Sequence, residues 1–320
     1  MNQFPYLAIL KKAYEITRQH FWLWIFGLFV GGTFSLNFSP FFSRPPRPEQ
    51  VVNMQASWTK AQSWISSNWE IFSLLVALVL LGFLCAILVS GIAKGAIIWA
   101  SQRLVVSSGE RAKEKVDFRS ALKSGRLYLW RIIGLQLGLT ASFFILFLVF
   151  FTPVVYLFIA GVSGRGLVLL LLGLLIFAPA SLVIGFLHLY GPIFIVFYDF
   201  RINEALVFSF NLVRHKLRES MILAAFLLGL NIVFLLGLAF SVIVFTLPVA
   251  LLGWLVSSLG FGVAMYMLVF GTILIGFFYV IVLSAGFTAF ENVTWVLAVQ
   301  EMVKAMKIDE QEEALAAEPA

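Results

Sequence analysis

Charged residues are scarce in this chain: Asp, Glu, Lys and Arg make up 12% of 320 residues, against roughly 25% in an ordinary soluble domain. With 61% of residues hydrophobic, there is too little polar surface to keep such a chain in water. Cysteine is nearly absent, and Cys85 alone in an apolar run excludes an internal disulfide and leaves the redox compartment undefined. Histidine occurs only as the isolated His20, His188 and His215, so a metal cluster is not expected, and the His-Glu-x-x-His pattern of a helical zinc site is missing. The Gly-Lys-Ser/Thr end of a phosphate-binding loop and the Gly-x-Ser-x-Gly elbow of a serine hydrolase are missing too. Gly161-Val-Ser-Gly-Arg-Gly is glycine-rich, but it joins two apolar runs and reads as a tight turn. The reading is of a protein without metal, cofactor or catalytic reaction.

What the sequence has instead is long uncharged runs, of a length that matches a bilayer core of about 30 Å at about 1.5 Å per helical residue. Six stand out, at about 21–38, 70–92, 132–160, 167–190, 221–257 and 261–285. The fifth is long enough to tilt or to break near Pro248, and a turn at 257–260 separates it from the sixth. Lys11, Lys12 and Arg18 precede the first run like a signal peptide, but no small-residue cleavage site follows, so it reads as a retained span.

The net charge of +6 invites a nucleic-acid reading, but the basic residues flank apolar spans and are not gathered in one soluble domain. With the N-terminus inside, 17 Lys and Arg fall on the cytoplasmic side, against Arg44, Arg47, Lys60 and Arg165 outside. That bias orients the chain with both termini cytoplasmic, in a bacterial inner membrane. Trp22, Trp24, Trp99, Trp130 and Trp295 fall at inner boundaries and Trp58, Trp64, Trp69 and Trp254 at or near outer ones, the interfaces that indole rings prefer. Residues 51–69 carry apolar side chains at helical spacing and are expected to form a short helix on the outer surface. Residues 1–308 read as one membrane domain, and 309–320 as an acidic, disordered cytoplasmic tail.

The same order of parts recurs three times, over units of about 4–104, 116–200 and 202–300. Each begins with an amphipathic stretch (7–20, 118–128, 202–217) read as a helix in the membrane plane, goes out, returns, and meets Gly95, Gly191 or Gly286 near the inner boundary. In the first stretch Leu7, Leu10, Ala13, Tyr14 and Thr17 share one helical face. The outward spans carry small residues four apart, Gly27 and Gly31, Gly134 and Gly138, Ala225 and Gly229, read as sites where helices approach closely. The return spans should bend, tilt or project past their glycines, with a kink at Pro192.

The run Gly191-Pro-Ile-Phe-Ile-Val-Phe-Tyr-Asp-Phe-Arg-Ile-Asn-Glu-Ala-Leu-Val-Phe-Ser-Phe-Asn-Leu-Val-Arg-His-Lys resembles the bacterial membrane domain associated with glycerophosphodiester phosphodiesterases and related multispanning families. The resemblance is strongest over 180–230 and weaker over 7–30. It implies an all-helical membrane fold in bacteria and assigns no activity to named residues. The chain has no room for the catalytic barrel that some relatives carry.

Ionisable groups at bilayer depth are costly, so Lys94, His188 and Glu291 form the candidate polar site. An ion pair between Lys94 and Glu291 is chemically sensible, while Lys94 can also snorkel to headgroups and Glu291 lie in the interface. Gln136 and Asn231 read as hydrogen-bond partners between helices. Arg111, Lys113, Lys115, Arg119, Lys123, Arg126, Arg214, Lys216 and Arg218 form the candidate contacts for anionic lipid. Two functions fit: a noncatalytic protein organising membrane lipids or partner proteins at the cytoplasmic face, or a transporter or channel for a small solute. A continuous polar cavity lined by Lys94, His188 and Glu291 would mark the second.

Overall fold

The computed structural model describes residues 4–31, 48–107, 116–258 and 262–317, and among these every regular element is an α-helix. In chain order they are α1 (Tyr6–Gln19), α2 (Trp22–Gly31), α3 (Pro48–Ser67), α4 (Trp69–Ser107), α5 (Phe118–Ile159), α6 (Ser163–Tyr198), α7 (Ile202–His215), α8 (Leu217–Ser258) and α9 (Gly262–Ala317). Five of them, α4, α5, α6, α8 and α9, are long and apolar enough to cross a membrane. The first apolar segment is not among these five. Its helix α2 has ten residues, about 15 Å and half a bilayer, and residues 32–38 lie outside the described residues.

The turn expected at Gly161 is a helix C-terminus of the glycine-ended type. Gly161 takes φ 76°, its N–H donates to Phe158 O at 3.2 Å, and the Val162 N–H donates to Leu157 O at 3.0 Å. Those two bonds close the last carbonyls of α5, and the positive φ is one glycine adopts without steric cost.

The core lies at one end of the bundle. It is built from residues 93–101 of α4, 186–196 of α6 and 285–302 of α9, with α1, α2, α7 and the first turns of α5 and α8 around them. α4, α6 and α9 touch one another, and each carries a leading helix against it: α5 on α4, α7 on α6, α1 on α9. The rest of each spanning helix is barely covered by protein. Over residues 71–84 of α4 no side chain is buried, so apolar groups point outward on every face, the pattern of a helix whose solvent is lipid.

The leading helices begin alike. The Asp117 N–H donates to Ser120 Oγ at 3.1 Å, and the Arg201 N–H donates to Glu204 Oε2 at 2.9 Å, so in both a side chain three residues into the helix satisfies the cap's amide. In α1 the cap is Pro5, which has no N–H to satisfy, and the third residue is Ala8. At the fourth, eighth, eleventh and twelfth positions after the cap, α1 buries Ile9, Ala13, Ile16 and Thr17, and α7 buries Ala205, Ser209, Leu212 and Val213. α5 buries Ala121 and Gly125 at the first two of those positions.

The details of these stretches differ from the sequence expectation. Leu7 and Tyr14 do not share the buried face of Ala13 and Thr17; both are exposed. α1 therefore has three sectors: one against the protein, a mixed one at Leu7, Lys11, Tyr14 and Arg18, and a polar one at Lys12, Glu15 and Gln19. Residues 118–128 form no separate helix, because nothing interrupts α5 between Phe118 and Ile159, whereas His20–Phe21 and Lys216 break the chain in the other two. α4, α6 and α9 run on without interruption past Gly95, Pro192 and Gly286, the projecting alternative among those expected, and α8 runs on past Pro248. The acidic stretch expected to be a disordered tail continues α9 to Ala317, in keeping with the high helix propensity of Glu, Gln, Leu and Ala. The helix expected over 51–69 is α3, from Pro48 rather than residue 51, and only Asn68 separates it from α4.

Candidate functional site: the polar contacts of the core end

α4 presents Lys94 toward α6, where its Nζ donates to the backbone carbonyl of His188 at 3.4 Å. In a regular helix that carbonyl would accept from the N–H four residues on, but the residue there is Pro192, which has none. The ammonium thus takes up an acceptor that proline leaves open. The imidazole of His188 itself makes no hydrogen bond among the described residues. Glu291 on α9 accepts from Asn231 Nδ2 on α8 at 3.4 Å. Of the alternatives considered for Lys94 and Glu291, the ion pair between them is not formed: each group is bonded to a different helix. Gln136, the other expected partner between helices, makes no side-chain hydrogen bond among the described residues.

A second buried contact was not legible in the sequence. The Tyr190 hydroxyl, fully buried, donates to Ser220 Oγ at 2.7 Å, joining α6 to α8, while Ser220 Oγ reaches the Lys216 carbonyl at 2.7 Å. The indole of Trp295 packs against Tyr190 at 5.9 Å between ring centroids, bringing α9 to the same place. Ser209 Oγ, on the face α7 buries, is the one buried side-chain oxygen or nitrogen without a partner among the described residues. The matching positions of α1 and α5 are Ala13 and Gly125, which carry no polar atom.

Close approach of backbones occurs at one glycine of the expected pairs, Gly27, and at Gly125, which belongs to none of them. A Cβ on Gly27 would fall on the Ala285 carbonyl of α9, and one on Gly125 would fall on the Ile92 carbonyl of α4. In both cases the alanine four residues beyond that carbonyl, Ala289 or Ala96, is the next contact. Gly138 and Gly229 would meet nothing within 4 Å. Gly95, Gly191 and Gly286 are close-packed, against Gly125, Leu135 and Trp24 respectively.

Between α6 and α7 the chain turns at Asp199, in the left-handed region at φ 55°, which Asp tolerates better than most residues. Arg131 of α5 holds that turn, donating to Asp199 Oδ1 at 2.6 Å and to its carbonyl at 3.2 Å. The Asp-Phe-Arg-Ile-Asn-Glu-Ala part of the quoted run is thereby explained by local structure: Asp199 makes the turn, Glu204 caps α7, and the small Ala205 is fully buried.

Of the candidate lipid contacts, Arg111, Lys113 and Lys115 lie outside the described residues. Arg119, Lys123 and Arg126 follow one another along one exposed face of α5 and end at Trp130, itself 73% exposed. Arg214 and Arg218 are exposed near the junction of α7 and α8, and Lys216 is half-buried in it. Across that junction from α1, burial holds the Tyr6 hydroxyl above its ordinary pKa, with Glu219 adding to the rise and Arg218 opposing it.

Among the described residues no three His, Cys, Asp or Glu side chains come together as a metal site would require. A cavity of about 440 Å³ opens beside α7, between the ends of α6 and α9, lined in part by Tyr198, Phe208, Asn211 and His215. A smaller one of about 220 Å³ lies between α8 and α9, around Phe245, Gly276 and Tyr279. Lys94, His188 and Glu291 line neither. These features define the class: an all-helical, multi-pass membrane protein. No protein-family model, curated protein or solved structure matches the chain.

Proposed function

We propose that this protein organises anionic lipid at the cytoplasmic face of a bacterial inner membrane without catalysing a reaction. The observation that carries the reading is the exposed stripe of Arg119, Lys123 and Arg126 leading to Trp130. An indole prefers the headgroup level, and each basic side chain near an anionic leaflet contributes about 1 kcal/mol. The matching positions of α1 (Leu7, Lys11, Tyr14, Arg18) and α7 (Asn203, Val207, Phe210, Arg214) carry fewer charges. That difference supports a stronger headgroup contact at α5 than at α1 or α7. The uncovered apolar length of α4 supports the same reading, because it offers lipid contact on every side.

In this reading the chain crosses six times, residues 21–38 supplying the first crossing, with both termini inside and three related units. The matching caps of α5 and α7, and the buried positions that α1 and α7 share and α5 shares at the first two, support the repeat, as does the packing of each on the return helix of another unit. The likeness to the membrane domain associated with glycerophosphodiester phosphodiesterases agrees with this arrangement and adds no activity. The engagement of Lys94 and Glu291 with neighbouring helices favours lipid organisation over a solute path.

The test replaces Arg119, Lys123 and Arg126 together with Gln. The variant should keep its topology and co-purify with less phosphatidylglycerol or cardiolipin at low salt, the difference shrinking as salt screens the charges. Unchanged lipid retention at low salt with topology intact overturns the proposal.

A further inference from the structure

We propose that the cavity beside α7 binds the head of an isoprenoid quinone or quinol, as a binding site and without a claim of electron transfer. The proposal goes beyond lipid organisation and stands apart from the basic stripe. Its volume of about 440 Å³ lies within the range of small-molecule pockets, roughly 300–1,000 Å³. Its wall is a pile of near-parallel rings: Phe194 and Phe200 are inclined by 10°, Tyr198 and Phe200 by 23°, and Phe200 and Phe208 by 26° at 4.8 Å. Flat walls of this kind accept a flat, uncharged ring by offset stacking. Among the described residues no Asp, Glu, Lys or Arg lines the cavity, so a charged head finds no counter-charge from them.

The polar groups that do line it match carbonyl and hydroxyl oxygens. Among the described residues the Tyr198 hydroxyl and the Asn211 amide have no hydrogen-bond partner, and both can donate. The Nδ1 of His215 lies 2.9 Å from the Asn211 carbonyl. With its proton donated there, Nε2 is left as an acceptor for a quinol hydroxyl. Val303 and Met306 continue the lining as an apolar track for a tail. α7 does not need these residues in order to pack: its Phe208, Asn211 and His215 stand where α1 has Lys12, Glu15 and Gln19 and α5 has Ser124, Leu127 and Arg131.

The experiment is equilibrium dialysis of the full chain in nanodiscs against a benzoquinone bearing one isoprene unit, with empty nanodiscs subtracted. Comparators are the same ring with its two carbonyls converted to methyl ethers, and the isoprenoid alcohol alone. The expected result is saturable binding at one site per chain, weaker by about tenfold for the dimethyl ether and absent for the alcohol. Asn211→Leu and His215→Phe, both at exposed positions, should each weaken quinone binding about tenfold, the scale of one lost hydrogen bond, with the melting temperature unchanged. Phe208→Leu supplies a third reading should either variant melt early. No saturable excess over empty discs, equal binding of the ether, or full binding by all three variants overturns the proposal. Lipid retention by these variants should stay normal, which separates this outcome from failure of the basic stripe.

Discussion

Lys94 donates to the carbonyl of His188, the acceptor that Pro192 leaves unpaired in α6. A cation within a spanning helix is thus tied to a backbone defect in its neighbour.

That relationship predicts non-additive stability. Lys94→Met leaves the His188 carbonyl without a partner and should cost about 1–3 kcal/mol. Pro192→Ala restores the N–H and makes Lys94 dispensable for this bond, so Lys94→Met should cost distinctly less in the Pro192→Ala background. A double-mutant cycle of thermal melts in detergent measures it. Equal costs in the two backgrounds would show that the contact contributes nothing.

Gly27→Ala and Gly125→Ala each place a methyl group against a neighbouring helix carbonyl and should destabilise by about 1–3 kcal/mol through overpacking. Gly138→Ala and Gly229→Ala enter open space and should leave the melting temperature unchanged or slightly raised. A ranking in which the four behave alike would remove the close contacts of α2 with α9 and of α5 with α4.

At Asp199 the backbone and the ion pair separate cleanly. Asp199→Gly and Asp199→Val both lose the ion pair with Arg131, which is largely exposed and is worth about 0–1 kcal/mol, and both keep the carbonyl that Arg131 also reaches. Only valine must hold a β-branched side chain at φ 55°, so it should be less stable than the glycine variant by about 1–2 kcal/mol. Matching stabilities would mean that the turn relaxes out of the left-handed region.

Topology is checked with single cysteines in a Cys85→Ala background. Lys60→Cys and Ser163→Cys should react with a membrane-impermeant thiol reagent in intact cells, and Lys123→Cys and Lys216→Cys only after permeabilisation. Labelling of Lys123→Cys from outside would reverse the orientation.

Much of the fold was legible because membrane insertion is governed by local sums. Length and apolarity along the chain mark the five long helices, since each backbone N–H must be satisfied within its own helix in lipid. Gly161 marks a turn because few residues other than glycine adopt its φ. The amphipathic period of α1 and α7 likewise follows from residue spacing alone. The link from Pro192 to Lys94 was legible in half: the free carbonyl at His188 follows from counting back four residues, but not the residue that fills it.

What only the tertiary structure decided is which helices meet. Lys94 of α4 and Glu291 of α9 have opposite charge, yet α6 receives the first and α8 the second, because a partner is set by the rotation of each helix about its axis. The glycine pairs were legible only in part for the same reason: spacing four apart puts Gly134 and Gly138 on one face, yet a Cβ on Gly134 would lie 3.1 Å from Ile202 Cδ1 and one on Gly138 would meet nothing. The bond from Tyr190 to Ser220 spans 30 residues and left no periodic trace. Sequence period determines which face of a helix is apolar, and packing alone determines what that face touches, because contact energies act between surfaces that the chain brings together only on folding.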